Sequence, residues 1–314
     1  MDSEFVEEIL KGDRRAVARA ISMVEDGAAN LPELSAGLYP HTGNAYSVGL
    51  TGAPGVGKSS LAEHLVRSGR SKGLTVAVLA IDPTSPFTGG ALLGDRLRMQ
   101  VHATDAGVFI RSMATRGHLG GMALAAPEAI RILDASGYGM VIVETVGVGQ
   151  VEVEVAKATD TTLVVVTPGW GDSIQVAKAG ILEIADIFVV NKADKDGAQR
   201  AVGDLEAMLG MGGEREWVPP VVSTSATDGA GMDELWDAID RHRKHQDSTG
   251  ALSEQRGRRL LAEVEEMVSQ GLRDRVRSLL NEHPDLLEDL EKRRTDPYRA
   301  AARLAGEIAE RQGL

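Results

Sequence analysis

The chain contains no cysteine. Disulfides and thiolate metal sites are therefore excluded, and a reducing compartment fits. No apolar run approaches the roughly 20 residues that a membrane-spanning helix needs. The first residues, Met1-Asp2-Ser3-Glu4, are acidic where a signal peptide is basic, so a cytoplasmic protein is expected, with no membrane partner. Positive charge is in deficit: 34 Lys and Arg face 46 Asp and Glu, a net charge of −12, which argues against nucleic acid as a partner. What is present, 43% hydrophobic and 25% charged residues over 314 positions, is the make-up of a soluble globular protein. The length allows one domain of about 200 residues with appendages.

One stretch carries most of the information. Gly52-Ala53-Pro54-Gly55-Val56-Gly57-Lys58-Ser59 is a complete G-x-x-x-x-G-K-[ST] phosphate loop. It follows an apolar run, Tyr46–Leu50, and precedes a helical pattern with Leu61 and Leu65. That strand–loop–helix context is what the motif needs. The glycines let the backbone turn so that successive N–H groups face phosphate oxygens, and the helix N-terminus adds its dipole. Gly52, Pro54, Gly55, Val56, Gly57, Lys58, Ser59 and Ser60 are the expected phosphate-binding residues. Lys58 is placed to reach the terminal phosphates, and the Ser59 hydroxyl to take one magnesium position.

Around this loop, residues 45–245 alternate short apolar runs with helical patterns. The runs are Ser47–Leu50, Val76–Ile81, Val108–Ile110, Met140–Val143, Leu163–Val166, Ile187–Val190 and Val218–Val222. Most lack polar alternation, which marks strands covered on both faces. The expected fold is α/β, a mostly parallel sheet flanked by helices. Polar residues gather at the carboxyl ends of the runs, where such sheets place ligands.

Asn191-Lys192-Ala193-Asp194 follows one of these strands. The Asp194 carboxylate can accept from both the ring N1–H and the exocyclic amine of guanine, whereas adenine offers no matching donor pair. The Lys192 stem can lie over the base, and Asn191 can tie this loop to the phosphate loop. Ser223-Thr224-Ser225-Ala226 follows the run Val218–Val222, and its backbone, at Ser225 and Ala226, can contact the guanine oxygen. Glu144-Thr145-Val146-Gly147 follows the fourth run; the acid there faces magnesium and the γ-phosphate, and the Gly147 N–H can hold that phosphate until hydrolysis releases it. Asp82 closes the second run, and Asp95 lies in Gly94-Asp95-Arg96. With Ser59 and Glu144 they make an oxygen set for magnesium. Lys58, Asp82, Asp95 and Glu144 are the catalytic candidates. Val148 stands where many GTPases carry a water-orienting glutamine, and Gln150 lies at a helix start, so slow unassisted hydrolysis is expected. Arg116-Gly117-His118 opens a glycine-rich turn that could serve as a switch segment.

Both ends are expected to be helical. At the start, Val17, Ile21 and Val24 recur at helical spacing, and the stretch from Leu31 to Pro40 reads as the end of a 1–40 extension. After a G domain at 41–247, an arm at 248–314 carries the stripe Leu261, Val264, Val268, Leu272, Val276, Leu279. Asp296 and Pro297 announce a second helix with the stripe Tyr298, Ala301, Leu304, Ala305, Ile308. A long arm must bury its stripe, and dimerisation is the expected way.

Three strings in order, Ala77–Ser85 ending Ile81-Asp82-Pro83-Thr84-Ser85, then Leu93-Gly94-Asp95-Arg96 after Gly89-Gly90, then Glu144-Thr145-Val146-Gly147-Val148-Gly149-Gln150, resemble the methylmalonyl-CoA mutase-associated GTPases of the MeaB/ArgK type. The resemblance is dense over about 45–195 and loose at the helical ends. It implies a SIMIBI-class P-loop G domain that binds GTP, GDP and Mg2+, and a homodimer built by the C-terminal arm. It also implies a chaperone that binds the cobalamin-dependent mutase, gates adenosylcobalamin loading and protects the enzyme. By position, Lys58, Ser59, Asp82, Asp95, Glu144, Asn191 and Asp194 inherit nucleotide and magnesium roles. One departure stands out. The family's third switch has Gly-Asp-Glu after Pro-Gly, and here Gly171-Asp172 is followed by Ser173, although the basic Lys178 further on is kept. Two other readings are a metallochaperone GTPase and a transport-associated ATPase or kinase. The first lacks a Cys- or His-rich tract, and Asn191–Asp194 argues against ATP for the second.

Overall fold

Seven Val- and Ile-rich runs become strands: β1 Tyr46–Thr51, β2 Val76–Asp82, β3 Val108–Ala114, β4 Met140–Thr145, β5 Thr161–Val166, β6 Ile187–Asn191 and β7 Val221–Thr224. The helices are α1 Ser3–Leu10, α2 Arg14–Glu25, α3 Leu31–Leu38, α4 Lys58–Ser71, α5 Met122–Ala135, α6 Gln150–Ala158, α7 Ile181–Ile184, α8 Ala198–Gly210, α9 Met232–Thr249, α10 Ala251–Glu282, α11 Pro284–Glu291 and α12 Pro297–Gln312. The computed structural model describes residues 3–82, 102, 104–114, 122–145, 150–169, 181–211, 213 and 216–312; at 82, 114, 122–123, 150–152, 181–182 and 312 it describes the backbone alone.

The strands form one sheet in the order β3-β2-β4-β1-β5-β6-β7, every pair parallel. The expected α/β fold is the one observed. Alternate residues of each strand feed opposite cores. Ala77, Leu79, Ile81, Val141 and Val143 pack with α1, α2, α3 and α5 on one face. Val76, Val78, Val48, Leu50 and Ile142 pack with α4 and α9 on the other. β1 lies between β4 and β5, so the loop that leaves it opens where the strand order reverses, the usual ligand crevice of such sheets.

Several elements differ from the sequence reading: β3 runs on past Ile110 to Ala114, and a helix, α11, stands before Asp296 where none was expected. The stretch from Leu31 is a helix to Leu38, because Pro32 sits in its first turn, where no N–H is needed. The last strand begins at Val221 rather than Val218, and so takes in Ser223 and Thr224. Pro219 and Pro220 have no N–H for a ladder, and only the Pro220 carbonyl joins it, accepting from Phe188 N at 2.9 Å.

The chain forms two compact units, Met1–Leu260 and Leu261–Leu314. The first includes the opening turns of α10, although the sequence places the start of the arm at 248. Their purpose is electrostatic. Asp160 is 2% exposed and lies between α6 and β5. Arg256 and Arg259 of α10 reach its two carboxylate oxygens at 2.7 and 2.9 Å. Burial works against the Asp160 charge, yet these guanidiniums hold its carboxyl below the usual range. Nearby, burial raises Asp186 to about 6 and lowers His242 to about 4, so His242 is neutral at pH 7 where it meets the Thr161 hydroxyl at 2.8 Å. Removing one partner of a buried ion pair strands the other charge. Asp160→Asn, which strands both guanidiniums, should therefore cost about 3 kcal/mol, or roughly 6–12 °C in Tm. Arg259→Ala leaves Arg256 on the carboxylate and should cost less. Calorimetry decides: a loss below about 1 kcal/mol would mean the pair is effectively solvated.

In the second unit, the stripe of α10 divides. Val276 and Leu279 join Leu286, Ala300, Leu304 and Ile308 in a small core. Leu261, Val264, Val268 and Leu272 are exposed, Leu261 by 73%. The Asp296 carboxylate caps α12, accepting from Tyr298 N and Arg299 N at 2.9 and 3.0 Å. The covered face of α12 is Ala300, Leu304 and Ile308, four residues apart, and Tyr298, Ala301 and Ala305 lie off it, exposed.

Candidate nucleotide site

The phosphate loop runs from β1 into α4. Its glycines answer to neighbours as much as to phosphate. Gly52 has φ +135°, and a Cβ there would stand 2.2 Å from the Val165 carbonyl oxygen. Gly57 has φ +99°, and a Cβ would meet Asn191 Nδ2 at 2.3 Å. No other residue fits either place. Pro54 and Gly55 are exposed at the tip, Val56 is buried beneath them, and Ser60 is half-buried on α4. Lys58 opens the helix, 6% exposed; its ammonium donates to the carbonyls of Gly52 at 2.6 Å and Ala53 at 3.2 Å.

Ser59 follows and donates to Glu144 Oε1 at 2.5 Å. Glu144 comes from the end of β4 and is 2% exposed. The fold thus joins two of the four expected magnesium-site residues. Asp95 lies outside the described residues, as does the side chain of Asp82, whose backbone ends β2 beside β4. Gly147, Val148, Arg116, His118, Ser173 and Lys178 also lie outside them. Among the described residues, no three acidic or histidine side chains converge as a metal site.

The base end is built on Asn191, the last residue of β6. Its Nδ2 donates to the Val56 carbonyl at 2.7 Å, and its Oδ1 accepts from Thr224 Oγ1 and Ala226 N, both at 3.2 Å. One buried amide therefore joins the phosphate loop to the loop behind β7. Ala226 N, expected at the guanine oxygen, is held by Asn191. Lys192 adopts φ +60°, uncommon for a side-chain-bearing residue, and its ammonium donates to the Gly55 carbonyl at 2.6 Å rather than standing clear beside the base site. Asp194 is exposed. Thr224 and His64, which meets the Ala226 carbonyl, are additional site residues. Spacing offers no sign of either, since their contacts span 33 and 162 residues.

A phosphate loop at the switch point of a parallel sheet, with an N-K-x-D loop tied to it, defines a P-loop GTPase. Comparison with known proteins narrows this. The family described as methylmalonyl Co-A mutase-associated GTPase MeaB matches residues 17–281, and the chain belongs to that family. It is similar to a Pyrococcus abyssi protein named as a GTPase, 49% identical over 98% of this chain and 97% of the relative. It is also similar to GTPase ArgK of Escherichia coli K12, 40% identical over 76% and 74%. A crystal structure described as LAO/AO transport system kinase superposes with a TM-score of 0.73 and 27% identity over 97% of this chain and 96% of that one.

Proposed function

We propose that the chain is a magnesium-dependent GTPase that serves as a chaperone of an adenosylcobalamin-dependent methylmalonyl-CoA mutase. In this reading it gates cofactor loading and protects the enzyme. Membership of a mutase-associated GTPase family supports the partner. The observation that carries the GTPase part is the Asn191 amide, which sets base loop and phosphate loop in one frame. The Ser59 hydroxyl against the Glu144 carboxylate presents the hard oxygens that magnesium prefers. These two would hold the ion, with Asp82 and Asp95 as further ligands; bound there, it would neutralise charge on the β- and γ-phosphates. Lys58 would add the nearest fixed positive charge.

The exposed Leu261, Val264, Val268 and Leu272 support a homodimer through the arm. Its test must spare Asp160's partners. A chain ending at 260 is expected to be monomeric in light scattering and to bind GTP; if it stays dimeric, the interface lies on the first unit.

Hydrolysis by the protein alone should be slow, on the order of minutes per turnover or slower, and a mutase encoded in the same genome should accelerate it. By linkage, nucleotide state should alter mutase affinity or its uptake of adenosylcobalamin. Single-turnover hydrolysis with and without the mutase, paired with cofactor loading in GTP and GDP states, measures both. If neither changes, the chaperone role fails while the GTPase stands.

A further inference from the structure

The helix that begins with Lys58 and Ser59 also reaches the base end of the site. Less than two turns on, half-buried His64 sets Nε2 3.0 Å from the Ala226 carbonyl oxygen. A carbonyl only accepts, so Nε2 carries the proton and donates. The loop behind β7 closes on itself at its ends: Ser225 N donates to Ala230 O and Gly229 N to Ser225 O, each at 2.9 Å. The Asp228 carboxylate accepts from Ala230 N at 3.1 Å. Ala226 is gripped from two outside directions, by Asn191 Oδ1 on its amide and by His64 on its carbonyl. Gly229 lies against the ring, where an added Cβ would stand 3.4 Å from His64 Cε1. Neither the phosphate motif nor the N-K-x-D motif includes His64.

We infer that His64 is a positioning residue for guanine recognition. It clamps the Ala226 carbonyl to the phosphate-binding helix, and so fixes the backbone that meets the 6-oxygen of the base. The Ala226 amide bond to Asn191 is long at 3.2 Å, a contact that guanine can take over without moving the clamped carbonyl. This inference rests on the reading of Ser225 and Ala226 as the guanine-oxygen contact.

The test uses two ligands and three variants of the full chain. GDP has the 6-oxygen; 2-aminopurine riboside diphosphate keeps the 2-amino group and the phosphates but lacks that oxygen and, with it, the N1–H that faces Asp194, a difference common to every variant compared. Glutamine carries an amide nitrogen at about the reach of Nε2, and asparagine at that of Nδ1. By titration calorimetry, His64→Leu and His64→Asn should each lose about tenfold in GDP affinity and less than about twofold for the 2-aminopurine nucleotide. His64→Gln should stay within about threefold of the original chain on both ligands. An equal loss on both ligands would make His64 a general support and overturn the inference, as would no loss on GDP. If the unaltered chain binds both ligands equally, the guanine-oxygen contact itself is wrong and the inference falls with it. A GDP-selective loss in the leucine variant with rescue by glutamine is a result that a fold defect cannot produce.

Discussion

Asp194→Asn is expected to convert the site from guanine to xanthine. The carboxylate presents two acceptors to the N1–H and 2-amino donors of guanine. An amide presents one acceptor and one donor, so one bond is lost and two donors are set face to face. Charge-assisted hydrogen bonds contribute about 1.5–3 kcal/mol each, and the exchange should cost about 4 kcal/mol, or roughly 10³-fold in GDP affinity. Xanthine replaces the 2-amino donor with an oxygen and pairs with the amide, so its diphosphate should gain affinity. Asp194 is exposed, which keeps the expected loss below that of a fully buried contact. Titration of both nucleotides against both proteins measures the exchange. The assignment is wrong if the original chain binds ADP as well as GDP, or if the variant keeps its guanine preference.

Lys58→Ala should remove hydrolysis, by at least about 10³-fold, in line with the loss of one preorganised charge from a site that stabilises a transition state. The ammonium now rests on the Gly52 and Ala53 carbonyls, 6% exposed, so it is already held at the phosphate loop with little freedom left to lose. Its removal also takes the ammonium from the Gly52 carbonyl, while Ala53 keeps the Val56 N–H at 3.4 Å, and a loss of about 1–3 kcal/mol in stability should accompany the loss of activity. Ser59→Ala should instead weaken the magnesium dependence of GDP affinity with the fold retained. Single-turnover assays at saturating GTP, with melting curves alongside, separate the two effects. Hydrolysis by Lys58→Ala at the original rate would rule out the assignment.

Much of this architecture is legible in the residues. Strands covered on both faces need no polar alternation, so runs such as Met140–Val143 and Ile187–Val190 announce a parallel sheet, and all seven runs are strands in the fold. The tie from Asn191 to the phosphate loop follows from its place at the end of β6, and the contact to Val56 is there. What is hidden has physical reasons. A proline pair shifts β7, because ladder hydrogen bonds matter more than apolar character at Val218. The covered face of α12 is chosen by the surface it meets, so Tyr298, apolar in the pattern, is 88% exposed. His64 lies in a helix that apolar spacing fully explains, and its contact belongs to a loop far along the chain.

The ion cluster at Asp160 also has a bearing on synthesis. The sheet is complete once β7 has left the ribosome, yet Asp160 must wait for partners 96 and 99 residues downstream. Those partners, Arg256 and Arg259, follow the end of β7 at Thr224 by 32 and 35 residues, so at about 5–20 residues per second the complete sheet waits roughly 2–7 s. During it the nascent sheet holds a buried carboxylate without its guanidiniums, and its β5 end stays loosely closed. The first unit therefore reaches full stability only as the α10 helix emerges. A ribosome stalled before residue 256 should carry a chain that proteases cut near Asp160, and one stalled well past residue 260 should carry a chain that resists them.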